Sequence, residues 1–202
     1  MKTHFPYLQV LEENNTILSN LTYFILYPGM EYRSQVKWWP DKGVRPTLHE
    51  GIDFCYYLDS ACKEHYVTPD FKVPVMADGR VMTICDDYLG QTVFLDHGYD
   101  CVSRFLSIYA HIVPLKDLQK GDMLVQGEVI ATVADTTGRK NRMPAHLHIS
   151  LMQADRRISA DKFDWNLMCY GKNIELLDPL SMIIGDKIDF RTKNHWKDSY
   201  RV

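Results

Sequence analysis

The sequence predicts an all-β fold of antiparallel strands, and three features of it do so. Between Val73 and Gln153 lie five short segments rich in β-branched and aromatic residues: VPVMADGRVMTI, QTVFLDHG, VSRFLSIYAHI, GEVIATVA and HLHISLMQ. Such residues pack well on a pleated, half-buried surface. Glycine-bearing breaks, Ala77-Asp78-Gly79, His97-Gly98, Lys120-Gly121-Asp122 and Gln126-Gly127-Glu128, punctuate them where tight turns would join strands, glycine supplying the positive φ that such turns need. The only stretch that reads as a helix is short, VPLKDLQK, set between two strands.

In chain order, residues 1–44 mix apolar runs such as LTYFILYPG with WWP and DKG, and read as an N-terminal extension packed on the core rather than a separate unit. Residues 45–184 form the β domain. RPTLHEGIDF opens it, and Gly51 together with Pro46 favours an extended or looped backbone there over a helix. IELLDPLSMIIG is expected to pack against a sheet edge. The tail, residues 185–202, becomes polar and is expected to fray or dock loosely.

At 202 residues and 46% hydrophobic the chain suits one domain with a sizeable core. Its net charge of −3, with both signs interspersed, leaves no basic stripe for nucleic acid. No run approaches the roughly 18 apolar residues of a membrane span, and MKTHFPYLQVLEENN lacks the charged-then-apolar pattern of a leader. Cys55, Cys62, Cys85, Cys101 and Cys169 are odd in number with no CxxC pair. They read as reduced structural thiols, with Cys55 and Cys62 able to pair only in an oxidising compartment.

Chemistry concentrates in three histidine contexts, HEGID, YAH and HLH. In HLH, His146 and His148 stand at i and i+2, so in a strand both imidazoles share a face and Leu147 takes the other. In HEGID, His49 and Asp53 at i and i+4 also share a face, while Glu50 alternates away. Imidazole and carboxylate are zinc ligands, and a catalytic zinc keeps three protein ligands and one open position. His49, Asp53 and either of the HLH histidines would supply three. The remaining histidines would stand beside the metal, where imidazole can move a proton or polarise a carbonyl.

The order HEGIDF, VPVMADGRV, VFLDHGYDCVSRFLSIYAHI, LQKGDMLVQGEVIATVADTTGR and HLHIS resembles the lysostaphin and LytM type of zinc metallopeptidase. The resemblance covers about residues 45 to 152, with LLDPLSMI similar to the family's closing segment. It implies an antiparallel, barrel-like β sandwich built as a duplicated hybrid motif. It implies one Zn2+ per chain on His49, Asp53 and His148, catalytic roles for His111 and His146, and peptidoglycan peptides as partners at the cell envelope or outside the cell. His97 matches a turn histidine of the family, not a ligand. This chain departs from the pattern in the long insertion CYYLDSACKEHYVTPDFK, expected to remodel one groove wall. It departs again in TTGRKNRMPAHLH, where Arg139, Lys140 and Arg142 would either attract carboxylate-bearing stems or form a solvated loop. A non-catalytic cell-wall-binding relative and a histidine phosphocarrier of similar topology are the alternatives. In residues 1–44, His4, Asn14, Asn15 and Asn20 are candidates for a ligand that closes the metal's open position, although a structural role suits them better.

Overall fold

The computed structural model describes residues 5–40, 43–140, 143–183 and 187–191. His4, Arg142 and the tail beyond Arg191 therefore lie outside the described residues. Thirteen strands are present among those described: β1 (Leu21–Leu26), β2 (Ile52–Phe54), β3 (Tyr56–Asp59), β4 (Glu64–Tyr66), β5 (Lys72–Pro74), β6 (Gly79–Asp86), β7 (Gln91–Tyr99), β8 (Ser103–Pro114), β9 (Met123–Leu124), β10 (Val129–Val133), β11 (Leu147–Asp155), β12 (Ile174–Leu177) and β13 (Ile188–Phe190). With them are two helices, α1 (Tyr7–Asn14) and α2 (Trp165–Tyr170). The all-β expectation is met. No helix among the described residues is long and apolar enough to cross a membrane.

The larger sheet runs β12-β11-β8-β7-β6-β9, with β2 on β11 and β10 bridging β8 to β5. It is open, so "barrel-like" describes its curl and not a closed cylinder. The smaller sheet, β13-β1-β3-β4, is built from the two chain extensions and the insertion after Asp53. Among these strands only β1 and β13 pair in parallel, and the isolated bridge between Phe5 and Ile183 is parallel too. One face of the larger sheet packs on α1 and the smaller sheet around Phe24, Phe54, Tyr109 and Ile149, all fully buried. Phe24 and Phe54 meet at 4.8 Å between ring centroids, and burying rings of this size supplies roughly 2–3 kcal/mol each. The opposite face carries a second cluster, Phe94, Leu106, Ile108 and Met152, covered by α2 through Met168.

Two local expectations need correction. Residues 113–120 are not helical: β8 continues to Pro114, Leu115 N–H donates to Ile130 C=O, and a single turn closes by Leu118 N–H on Leu115 C=O. Gly121, at φ +98°, then ends the segment, and so few residues cannot repay helix nucleation. The helices form elsewhere. In α1, Tyr7, Leu8, Val10 and Leu11 are all buried, an i, i+3, i+4 face pressed on the core. In α2, the Asp164 carboxylate caps the first turn by accepting from Leu167 N–H. His97-Gly98 is likewise no turn but a bulge within β7, with the chain reversing at 100–102.

Asn15 joins α1 to the sheet. Its Nδ2 donates to Leu11 C=O and Lys72 C=O, and its Oδ1 accepts from Lys72 N–H. Asn15→Ala strands these buried partners and is expected to cost about 2 kcal/mol. That corresponds to a melting temperature lower by about 4–8 °C in a chain of this size, read by circular dichroism. An unchanged midpoint would contradict this bridging role.

Candidate active site

Register brings the site together. β2 pairs antiparallel with β11 so that Asp53 stands opposite His148, and β8 pairs with β11 so that Ala110 stands opposite the same histidine. Opposed residues share a face, so Asp53 and His148 project together. His49 arrives from the loop before β2, fixed by its N–H on Ser34 C=O and its C=O accepting from Arg33 N–H. Gly51 is required between them because a Cβ there would lie 2.0 Å from the Ile149 carbonyl oxygen. The glycine lets the backbone reach β11; it does not merely discourage a helix.

His111 needs an irregularity to join them. Ala110 faces the site, so the next residue of a regular strand would face the core. At His111, β8 bulges against β7 and the backbone turns left-handed, φ 61°, at a cost of about 1–2 kcal/mol for a residue with a Cβ. The shift in parity keeps both Tyr109 and Ile112 in the core while the His111 ring lies 4.9 Å from that of His146 and 5.7 Å from that of His148. From here β8 leaves β11 and pairs with β10.

Three donor atoms converge: His49 Nε2, His148 Nδ1 and Asp53 Oδ1. Their separations are 3.1 Å between the imidazoles, 3.2 Å from His49 to Asp53 and 2.8 Å from His148 to Asp53. A tetrahedral zinc with bonds of about 2.0–2.1 Å sets its ligands about 3.3–3.5 Å apart, so small outward movements suffice to admit it. These three are the group able to hold a metal among the described residues. The far atom of each is also held. His49 Nδ1 donates to Glu31 C=O at 3.0 Å, His148 Nε2 lies 2.8 Å from Ser150 Oγ, and Asp53 Oδ2 accepts from Trp38 Nε1 at 2.5 Å with the Arg45 guanidinium 3.6 Å away. Such outer contacts fix tautomer and ring direction.

Electrostatics agree with a ligand set. Burial pushes the Asp53 carboxyl up, but His49, His146 and the bond to His148 outweigh it and hold the group well below the usual carboxylate range. His146 moves the other way: burial, resisted by Asp53, takes it down to about 3, so it is a neutral imidazole at physiological pH. Its Nδ1 donates to Pro144 C=O at 2.8 Å, leaving Nε2 without a proton and facing the group, 3.7 Å from Asp53 Oδ1. Glu50 also lines the cleft, and its carboxylate accepts from Thr47 Oγ1 and Cys169 Sγ.

All five residues singled out from the sequence line one cleft of about 470 Å³, walled by Trp39, Arg45, Tyr88, Met143 and Trp165. No residue of the insertion lines it. That segment forms β3 and β4 of the smaller sheet, and touches the site through Tyr56, whose ring meets Trp38 at 6.3 Å. The wall combines Trp39 of the N-terminal segment with Arg45, Tyr88, Met143 and Trp165 of the β domain. Arg139 and Lys140 do not line the cleft, and Arg139 donates to Leu89 C=O. Asn14 and Asn15 serve α1, and Asn20 C=O accepts from Ser60 N–H. His97 bridges Asp78 C=O and Ser107 Oγ, away from the cleft. Cys55 is buried and Cys62 exposed, both free thiols. Trp38, Arg45, Asp87 and Trp165 join the site with no local signal in the sequence, whereas the i, i+2 alternation of HLHIS points to Ser150.

A curled antiparallel sheet bearing a His–Asp–His group, with two further imidazoles in the same cleft, defines a protein built around a candidate metal centre. Peptidase family M23 matches residues 47–160, more than half of the chain, and the chain belongs to that family. The lysostaphin and LytM resemblance is thereby met. Among solved structures, the catalytic domain of the antimicrobial peptidase lysostaphin from Staphylococcus simulans is similar at 18% identity and a TM-score of 0.40, over 75% of this chain and 93% of that one. A mutant catalytic domain of the prophage-encoded M23 protein EnpA from Enterococcus faecalis is similar at 16% and 0.38, over 60% and 82%. A zinc-containing peptidase from Vibrio cholerae is similar at 24% and 0.33, over 58% and 31%. No curated protein matches the chain.

Trp38→Phe keeps the ring against His146 (centroids 5.0 Å apart) and removes the N–H that holds Asp53 Oδ2. Zn2+ affinity, measured by chelator competition, is expected to fall about 10-fold. Equal affinity would show that the indole donor does not set the carboxylate.

Proposed function

We propose that the chain is a zinc-dependent endopeptidase that hydrolyses peptide bonds in the stems or crosslinks of peptidoglycan, acting at the cell envelope or outside the cell. The observation that carries it is the pairing of two kinds of group in one cleft: three donor atoms within 3.2 Å of one another, and two imidazoles that are not needed to hold a metal. Membership of the M23 family supports the reaction class and the substrate class.

His49, Asp53 and His148 would hold the zinc, a nitrogen-and-oxygen donor set that suits it and leaves a position open. When bound, zinc supplies Lewis acidity toward a water molecule and a peptide carbonyl. The chain's own groups do the rest. His111, with Nδ1 3.0 Å from Asp87 Oδ1, presents Nε2 to the cleft and takes a proton from the attacking water. His146, whose Nε2 carries no proton, adds a second acceptor nitrogen and, when it carries a proton, a donor to the oxygen that gathers negative charge. Trp39, Met143 and Trp165 exclude bulk water, which strengthens each of these interactions.

Purified peptidoglycan digested by the zinc-loaded protein is expected to release stem or crosslink fragments, identified by mass. His111→Ala and His146→Ala should each lower turnover by about 100-fold or more. Full activity in His111→Ala would overturn the assignment of the base, and no release by the wild type would overturn the peptidase reading.

A further inference from the structure

Asp87 sits beside the cleft with a carboxylate surrounded only by donors. Oδ1 accepts from Leu89 N–H at 2.8 Å, Gly90 N–H at 2.8 Å and His111 Nδ1 at 3.0 Å. Oδ2 accepts from the Thr92 hydroxyl at 2.8 Å and from His111 N–H at 2.9 Å. An ionised carboxylate can only accept, so the hydrogen between Asp87 and the His111 ring belongs to Nδ1. The ring's Nε2 is left with a bare lone pair.

The other end of this network is fixed as well. Trp165 Nε1 can only donate, and it donates to Thr92 Oγ1 at 2.9 Å. The Thr92 hydroxyl hydrogen is thereby free for Asp87. The same indole lies flat on the His111 ring, centroids 5.8 Å apart and planes 3° from parallel. A closed circuit results: Trp165 to Thr92 to Asp87 to His111, and back by stacking. It joins α2, β7, the turn after β6 and β8.

We propose that Asp87 is a positioning residue for the general base: with Thr92 and Trp165 it locks His111 as the Nδ1–H tautomer, Nε2 toward the cleft. Its bond to the backbone N–H of His111 holds the left-handed turn of chain that swings the ring out of the core. The inference rests on the peptidase reading and deepens it, because an imidazole that must accept a proton needs its acceptor nitrogen chosen in advance.

A purely structural role is separable. Asp87 also closes its own turn, its N–H donating to Gly90 C=O while Oδ1 accepts from Leu89 and Gly90. Asn preserves that turn, since an amide oxygen can occupy the Oδ1 position. The Asn oxygen still accepts from His111 Nδ1, but its NH2 then faces the backbone N–H of His111, donor against donor, and the negative charge that favours the Nδ1–H tautomer is gone.

The test has two arms. In the metal-free wild type, 15N NMR of histidine-labelled protein, with His111 assigned by His111→Gln, is expected to show Nδ1 protonated and Nε2 bare; an Nε2–H tautomer would overturn the proposal. In Asp87→Asn, kcat on peptidoglycan fragments should fall about 10- to 100-fold with KM and Zn2+ affinity within about 2-fold of wild type. A folded, zinc-binding Asp87→Asn with wild-type kcat would overturn it. If the wild type cleaves nothing, the peptidase reading fails, and the tautomer arm still decides whether Asp87 fixes the ring.

Discussion

Asp53 keeps a negative charge where it is only 2% exposed, and a buried ion persists only among donors and opposite charges. Elements distant in sequence each bring one. Trp38 comes from the N-terminal segment, Arg45 and His49 from the stretch before β2, and His148 from β11. Much of the architecture can be understood as the means of assembling them. β2 is only three residues long, yet its register against β11 sets Asp53 opposite His148. Without Gly51 the backbone could not come close enough to β11 for that pairing.

β11 is the common frame. Along one face it carries His148, Ser150 and Met152, so that the candidate ligand, its outer partner and the packing under α2 follow one another at the strand's period of two. Leu147, Ile149 and Leu151 go to the main core on the other face. A site mounted this way inherits the rigidity of the sheet. The exception is His111, which depends on a bulge and a strained φ. Local strain of this kind is sustained when the surroundings over-determine it, and the hydrogen bonds and stacking around His111 do so.

Much of this was legible in the sequence because it is periodic or local. Alternation in HLHIS correctly placed two imidazoles on one face, and the spacing in HEGID joined His49 to Asp53. The β-rich segments correspond to β5 to β8, β10 and β11. What could not be read depends on tertiary pairing. Nothing local in WWP says that the Trp38 indole reaches a carboxylate 15 residues on, and nothing in CDDYLG says that Asp87 serves a histidine 24 residues later. The bulge at His111 is invisible to a pattern of strict alternation, which would have sent that ring into the core. VPLKDLQK is not the helix expected, because Leu115 is still tied to β10's Ile130, a pairing that the segment alone does not show. Helix α1 carries a local signal in YLQVLEEN, the apolar i, i+3, i+4 face of Tyr7, Val10 and Leu11.

The proposed function divides five side chains of one cleft between holding zinc and moving protons, and zinc stoichiometry across their alanine variants separates the two roles. Measured by mass spectrometry of metal content after zinc loading and removal of excess ion, the wild type is predicted to hold about one zinc per chain. His49→Ala, Asp53→Ala and His148→Ala should lose it, while His111→Ala and His146→Ala should keep it. Zinc lost as completely from His146→Ala as from His148→Ala, or a wild type that retains no metal, would rule out that division of roles.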